Sequence, residues 1–363
     1  MSLRHATVLE ILDTRSGLQT VRVRLDDAAD SADSPDAAAT LRACNYLTLG
    51  SRVAIGQRVL VNTTGLELQL GTGGVAFVVP DEAFTEDRRY GHIVKLRYTP
   101  LQRAVDSVEE QDAPSHALLQ NAESIEGMPV VCCELHSQVP LVAAAIKHAA
   151  PEATVAYLMN DAAALPLAFS DVLHHCREAG LIDQTVSAGQ AFGGQYEAIN
   201  LYSALLTAHT VCAADVAIVA PGPGVVGSGT AFGHSGIAQG EALNAAAALG
   251  GTPLAVLRLS WQDARPRHHG LSHHTRTVLG RVCLCEARLP LPGNLSASQT
   301  REVMQQMEES GILARHALVP VFAELDAVDL RGVEVTTMGR GRDDDPAFFS
   351  AAFAAGILAT SPQ

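Results

Sequence analysis

The 363-residue chain is predicted to be an α/β protein, a doubly wound and mostly parallel sheet preceded by a small β-rich domain, either a barrel or a sandwich. Three observations predict it. From Met128 onward, near-continuous apolar runs alternate with helical patterns, as in a parallel sheet covered on both faces. Before about residue 102, short segments alternate apolar and polar residues between glycine turns and show no helical period. Hydrophobic residues make up 47 % of the chain and charged residues 18 %, a balance that supports a large core.

Taken in order, residues 20–25 read as a strand after the Ser16-Gly17 turn, and residues 53–61 as two short strands around Gly56. Residues 75–79 and 92–97 supply further strands, and residues 26–39, rich in Ala, Asp and Ser, a surface loop. The glycine run at 71–74 reads as a bulged hairpin turn. Residues 103–127 read as a polar helical connector, which divides the chain into 1–102, 103–127 and a Rossmann-like domain at 128–363. In that domain strands are expected at 130–134, 154–159, 185–188, 216–220, 254–259, 282–287 and 333–338. Helices are expected at 141–149, 198–209 and 298–310, with a closing helix started by Asp345-Pro346.

The formal net charge of −14 argues against nucleic acid or an anionic membrane as partner, because phosphate backbones are held by a basic face. Only Lys95 and Lys147 are lysines. Seven cysteines without a C-x-x-C pair fit reduced thiols. No apolar stretch reaches a membrane span, and the N-terminus lacks a signal-peptide core, so a soluble, cytoplasmic protein is expected. Self-association into a homo-oligomer stays open.

The densest chemistry is the segment 264–275, ARPRHHGLSHHT, directly after an apolar run. Arg265 and Arg267 suit an anion, because a planar guanidinium fork matches phosphate or carboxylate oxygens. Ser272 is a good N-cap, which places His273 and His274 in the first turn of a helix. His268 and His269 join them as ligand-binding candidates. The loop Gly222-Pro-Gly224-Val-Val-Gly227 formally fits a dinucleotide fingerprint but follows the fourth strand, with no ribose-binding acid after the next one. Its reading is an anion-binding turn made by Gly222, Gly224, Gly227, Gly229 and Thr230, or a structural turn. His136, Asp161 and Glu197 also follow predicted strands, and parallel strands bring such ends to one edge. His136, Asp161, Glu197, His273 and His274 are therefore the catalytic candidates. No motif identifies a cofactor; His269 and His273, spaced i, i+4, with His136, Asp161 and Glu197 leave room for a divalent metal.

Long stretches of the chain resemble an uncharacterised bacterial family, domain of unknown function 3866. They are VLVNTTG at 59–65, LGTGG at 70–74, GHIVKLRYTPLQ at 91–102, ELHS at 134–137, AFGG at 191–194, GVVGSGTAFGHSG at 224–236, RHHGLSHHT at 267–275, TMGR at 337–340 and DPAFF at 345–349. The resemblance implies membership and brings no activity with it. Two functions are expected from the residues. One is an enzyme, a hydrolase or transferase, acting on a small anionic or phosphorylated metabolite at the carboxyl edge of the sheet. The other is a non-catalytic metabolite-binding or regulatory module using the same cleft.

Overall fold

A computed structural model describes residues 2–26, 40–69, 74–80, 91–322 and 324–361. Two compact units result, residues 1–89 and 90–363. The expected boundary at residue 102 therefore moves back, because the hairpin over residues 93–105 belongs to the second unit. The loop at 26–39 and the glycine run at 71–74 lie, but for Asp26 and Gly74, outside the described residues.

In the first unit, alternation dictates the strands β1 (Leu3–Arg15), β2 (Leu18–Leu25), β3 (Thr40–Tyr46), β4 (Arg58–Asn62) and β5 (Val75–Val78), with α1 (Thr64–Glu67) after β4. They pair in the order β1-β2-β3-β5-β4 and close where β4 meets β1. All pairs are antiparallel except β3 with β5. Inward side chains such as Val8, Val21, Val23, Val61 and Val78 fill the interior. β1 pairs with both β2 and β4, and register shifts after Val8 and Ile11 bend it enough to do so. Residues 53–54, read as a strand, are instead held by a side chain: Val53 donates its backbone N–H to Gln19 Oε1 at 3.0 Å.

The second unit opens with the hairpin β6 (Ile93–Lys95) and β7 (Arg103–Val105). The expected helical connector is not there: among the described residues 103–127 hold one short helix, α2 (His116–Leu119). Side chains outcompete the helix for backbone partners. Glu110 accepts from the N–H groups of His92, Ile93 and Ser107, and Ser115 Oγ donates to the Val108 carbonyl.

The sheet then builds from β8 (Pro129–Cys132), β9 (Val155–Asn160), β10 (Gln184–Ala188), β11 (Tyr196–Ala198), β12 (Val216–Pro221) and β13 (Thr252–Ala255). A two-stranded ribbon follows, β14 (Leu259–Ser260) with β15 (Gly270–Leu271), before β16 (Arg288–Pro292) and β17 (Ala317–Val321) complete the sheet. Its order is β11-β10-β9-β12-β8-β13-β16-β17, parallel throughout. The helices are α3 (Val139–Ala149), α4 (Asp171–Glu178), α5 (Leu201–Thr210), α6 (Ala238–Ala248), α7 (His273–Thr277), α8 (Ala297–Glu309) and α9 (Pro346–Ala359). Period-two alternation sends Cys132, Leu158 and Val219 to one core, shared with α5, α6 and α8. Val131, Tyr157 and Ile218 go to the other, shared with α3, α4 and α9. Ser170, Asn200 and Ser296 cap α4, α5 and α8 by accepting from the first-turn N–H groups. Gly356 lets α9 lie directly on α3, where a Cβ would sit 2.4 Å from the Val142 carbonyl.

Two expected strands are corrected. Residues 282–287 form no strand; a π-type turn over Val278–Val282 precedes an extended link. Asn244 of α6 binds the Val282 carbonyl and the Leu284 N–H, taking the groups a sheet neighbour would have paired. Residues 333–338 carry one bridge, Thr337 with Arg340, and no strand. The strands in their place, β16 and β17, contain Pro290, Pro292 and Pro320, which hide them from a pattern search.

Candidate functional site

The carboxyl ends of β8, β12 and β13 adjoin in the sheet, and the loops leaving them meet. Glu134, two residues beyond β8, is fully buried. Its Oε1 accepts from Arg258 Nη1 at 2.8 Å and from His274 Nδ1 at 2.8 Å, and its Oε2 from Thr275 Oγ1 at 3.0 Å. Burial pushes this carboxyl up, but the Arg258 charge and the His274 and Arg258 hydrogen bonds outweigh it and hold it at about 2. An ionised carboxylate only accepts, so His274 donates Nδ1–H and has Nε2 left over.

Ser272 caps α7, accepting from the His274 N–H, and its Oγ also lies 2.8 Å from His268 Nδ1. The cap and the ribbon β14–β15 thus turn three imidazoles inward. The rings of His268, His273 and His274 have centroids 4.4 to 5.0 Å apart. A ring nitrogen from each lies within 4.8 Å of the other two. His273 Nε2 is buried with no hydrogen-bond partner among the described residues. Burial, then neighbouring positive groups, lowers His268 to about 3 and His273 to about 4. Both therefore present neutral imidazole at pH 7. His234, from the loop after β12, stacks on His274 with centroids 3.7 Å apart. Gly227 of that loop covers the site so closely that a Cβ there would stand 3.2 Å from His274 Nε2.

A second polar layer supports the first. Asp263 accepts a bidentate pair from Arg265, Nε at 2.8 Å and Nη2 at 2.7 Å, and lies 3.8 Å from both Arg258 and Arg340. Asp345, at the start of α9, accepts from Ser260 Oγ at 2.7 Å and Arg340 Nε at 3.2 Å. Its other oxygen is buried without a partner among the described residues, and burial raises its pKa.

The family model described as protein of unknown function (DUF3866) matches residues 42–356. The chain belongs to this family. No curated protein and no solved structure matches it.

In this DUF3866 chain the residues singled out from sequence divide into those the fold gathers and those it does not. His268, His273, His274 and Gly227 meet around Glu134 and Arg258. His136 is tied elsewhere: its Nδ1 lies 3.1 Å from the Pro221 carbonyl and its Nε2 2.6 Å from Ser170 Oγ, so both nitrogens are used to join three loops. Glu197 faces Lys95, whose buried Nζ donates to it at 2.7 Å and to the carbonyls of Ser187 and Ala191. Asp161 accepts from the Gln190 N–H, and its charge bears on Lys95. These two acids belong to the β9–β10–β11 end of the sheet, where Lys95, Glu197 and two backbone carbonyls form a buried ion-pair clasp.

Arg265 spends its fork on Asp263, and His269 is half exposed beside Glu302, 3.6 Å away. Neither points into the cluster, so the i, i+4 pair of His269 and His273 gives way to His268, His273 and His274. In the glycine loop Thr230 Oγ1 accepts from the Gly233 N–H, the Ser228 N–H donates to the Gly233 carbonyl, and the Val226 N–H donates to Ser235 Oγ. Gly222 approaches the Ala164 carbonyl, while Gly224 and Gly229 adopt positive φ without a close neighbour. Glu134, Arg258 and Asp263 were missed. The signals were an arginine inside the apolar run at 253–259 and an acid two residues before the chosen His136.

Proposed function

We propose that the protein is an enzyme, a hydrolase or transferase, acting on a small anionic metabolite at the imidazole cluster on the carboxyl edge of its sheet. The observation that carries this reading is the buried Glu134–His274 pair beside His268 and His273, with an unpartnered nitrogen on His273. A carboxylate that fixes a ring by its Nδ1–H leaves Nε2 aimed at a substrate or ligand, as a reacting or ligating imidazole must be. Buried polar nitrogens without partners are rare, and one inside a cluster of titratable groups marks a place where a ligand completes the bonding. Arg267, exposed and close enough for its charge to bear on His273, is assigned the anion. The glycine loop serves as a wall, since much of its backbone bonds within itself.

The test combines binding and turnover. A thermal-shift panel of inorganic phosphate, sugar phosphates and carboxylates should show a stabiliser, because a ligand bound only by the folded state raises its melting temperature. Turnover of p-nitrophenyl phosphate and p-nitrophenyl esters should fall on the order of 100-fold or more in His273→Gln, while Arg267→Gln should raise KM with kcat less changed. Stabilisation without turnover on any substrate would favour the non-catalytic binding module. A flat panel with no turnover removes the reading.

A further inference from the structure

We infer that His268, His273 and His274 form the binding site of one divalent ion of the zinc class. The inference rests on the reacting centre proposed above and specifies how its imidazoles act, as ligands. The donor set is the first reason. One nitrogen from each ring lies within 4.8 Å of the other two. A tetrahedral ion with metal–nitrogen bonds of about 2.0–2.1 Å holds its ligand nitrogens roughly 3.4 Å apart. Closing the remaining gap of up to about 1.4 Å takes side-chain rotation within rotamer wells.

The outer partners are the second reason. A histidine ligand ordinarily passes its other N–H to a carboxylate or hydroxyl, which fixes tautomer and ring orientation. Glu134 is that carboxylate for His274, at 2.8 Å, and is itself anchored by Arg258 and Thr275. Ser272 Oγ stands 2.8 Å from Nδ1 of His268, so Nδ1–H donation there leaves Nε2 with its lone pair. The third reason is the orphan: His273 Nε2 is buried and has no hydrogen-bond partner among the described residues. A metal ion is the partner that accepts a lone pair from all three rings at once.

Chemistry then selects the ion. Three imidazole nitrogens with neither thiolate nor carboxylate suit zinc, copper, iron or nickel over magnesium or calcium, which take oxygen. Three protein ligands leave a position for water or substrate, the pattern of a catalytic rather than a structural site. Such an ion supplies Lewis acidity next to the anion assigned to Arg267.

The purified full-length chain, stripped with dipicolinate and dialysed, should be titrated with Zn²⁺ against a chromophoric chelator, and with Co²⁺ followed by visible absorption. The expected result is one equivalent bound, with a tetrahedral cobalt spectrum lacking a thiolate charge-transfer band. His268→Gln and His273→Gln should abolish binding, His269→Gln should leave it unchanged, and Glu134→Gln should weaken it about 10- to 100-fold. No stoichiometric metal in the wild type overturns the inference. So does a thiolate band, or a folded His273→Gln that binds as the wild type does. The cobalt spectrum of the wild type reads the ligands even where a histidine variant fails to fold. Turnover assayed on the same samples separates the two readings. Turnover that survives complete chelation overturns the metal site and leaves the imidazole enzyme standing. Stoichiometric metal without turnover supports the site and removes the enzyme.

Discussion

Arg258→Met isolates the energetics of the buried cluster. Arg258 Nη1 and Glu134 Oε1 are 2.8 Å apart with both side chains more than nine-tenths buried, so neither group is solvated by water. Removing one partner of such a pair costs about 3–5 kcal/mol, chiefly from the charge left behind. Here Glu134 keeps the hydrogen bonds from His274 and Thr275, which places the expected loss near the lower end, about 3 kcal/mol. Glu134→Leu should lose a similar amount, because Arg258 then keeps only one carboxylate, Asp263 at 3.8 Å, and the His274 Nδ1 at 3.3 Å. The double variant should fall short of the summed losses by about 2–3 kcal/mol, since replacing both charges by apolar groups removes the unpaired charge. Trp261, the single tryptophan, is half-buried two residues before Asp263 with its Nε1 on Glu302 at 2.9 Å. Its fluorescence during guanidinium unfolding therefore reports the α/β unit alone. Additive losses in the double variant, or a single-variant loss below about 1 kcal/mol, would refute the claim that the pair is a buried, mutually compensating charge couple.

Three further outcomes are expected. Burial lowers His136 to about 4 against an ordinary 6.5, so between those values the unfolded chain binds a proton that the folded one refuses. The His136 share of the stability should be full above pH 6.5 and fall by up to about 3 kcal/mol as pH drops to 4, beside the shares of His268 and His273, which are lowered in the same way; His136→Gln should remove that one share and make the slope shallower, and equal slopes in the two proteins would sink the assignment. Lys95→Met strands Glu197 and two carbonyls that shared one buried ammonium, and should destabilise by about 3 kcal/mol in the Trp261 assay; a loss within error would show that the clasp contributes little. Gly227→Ala places a Cβ 3.2 Å from His274 Nε2 and should weaken ligand or zinc binding, whereas Gly224→Ala, at φ +97° with open space around it, should cost about 1 kcal/mol of stability and leave binding alone. Titrations and melts on the pair would contradict this if both variants bound equally.

The sequence by itself determined the fold class, because burial on two faces writes continuous apolar strands into the chain and capping residues punctuate the helices between them. It placed β8, β9, β10, β12 and α9 closely, and it located the histidine segment with its Ser272 cap, a local pattern needing no knowledge of neighbours. It lost β16 and β17, whose prolines mimic loops, and the 103–127 region, where side chains captured the backbone. What only the tertiary structure decided was which loops share a site. Strand order sets that, and the order β11-β10-β9-β12-β8-β13 puts Glu197, which lies within β11, four strands from β8 although these strands all run in the same direction. The partner of each charge was equally invisible. Arg265 and Arg267 look equivalent in sequence, yet one is spent on Asp263 and the other stays exposed, because contacts between residues distant in the chain depend on packing rather than on spacing.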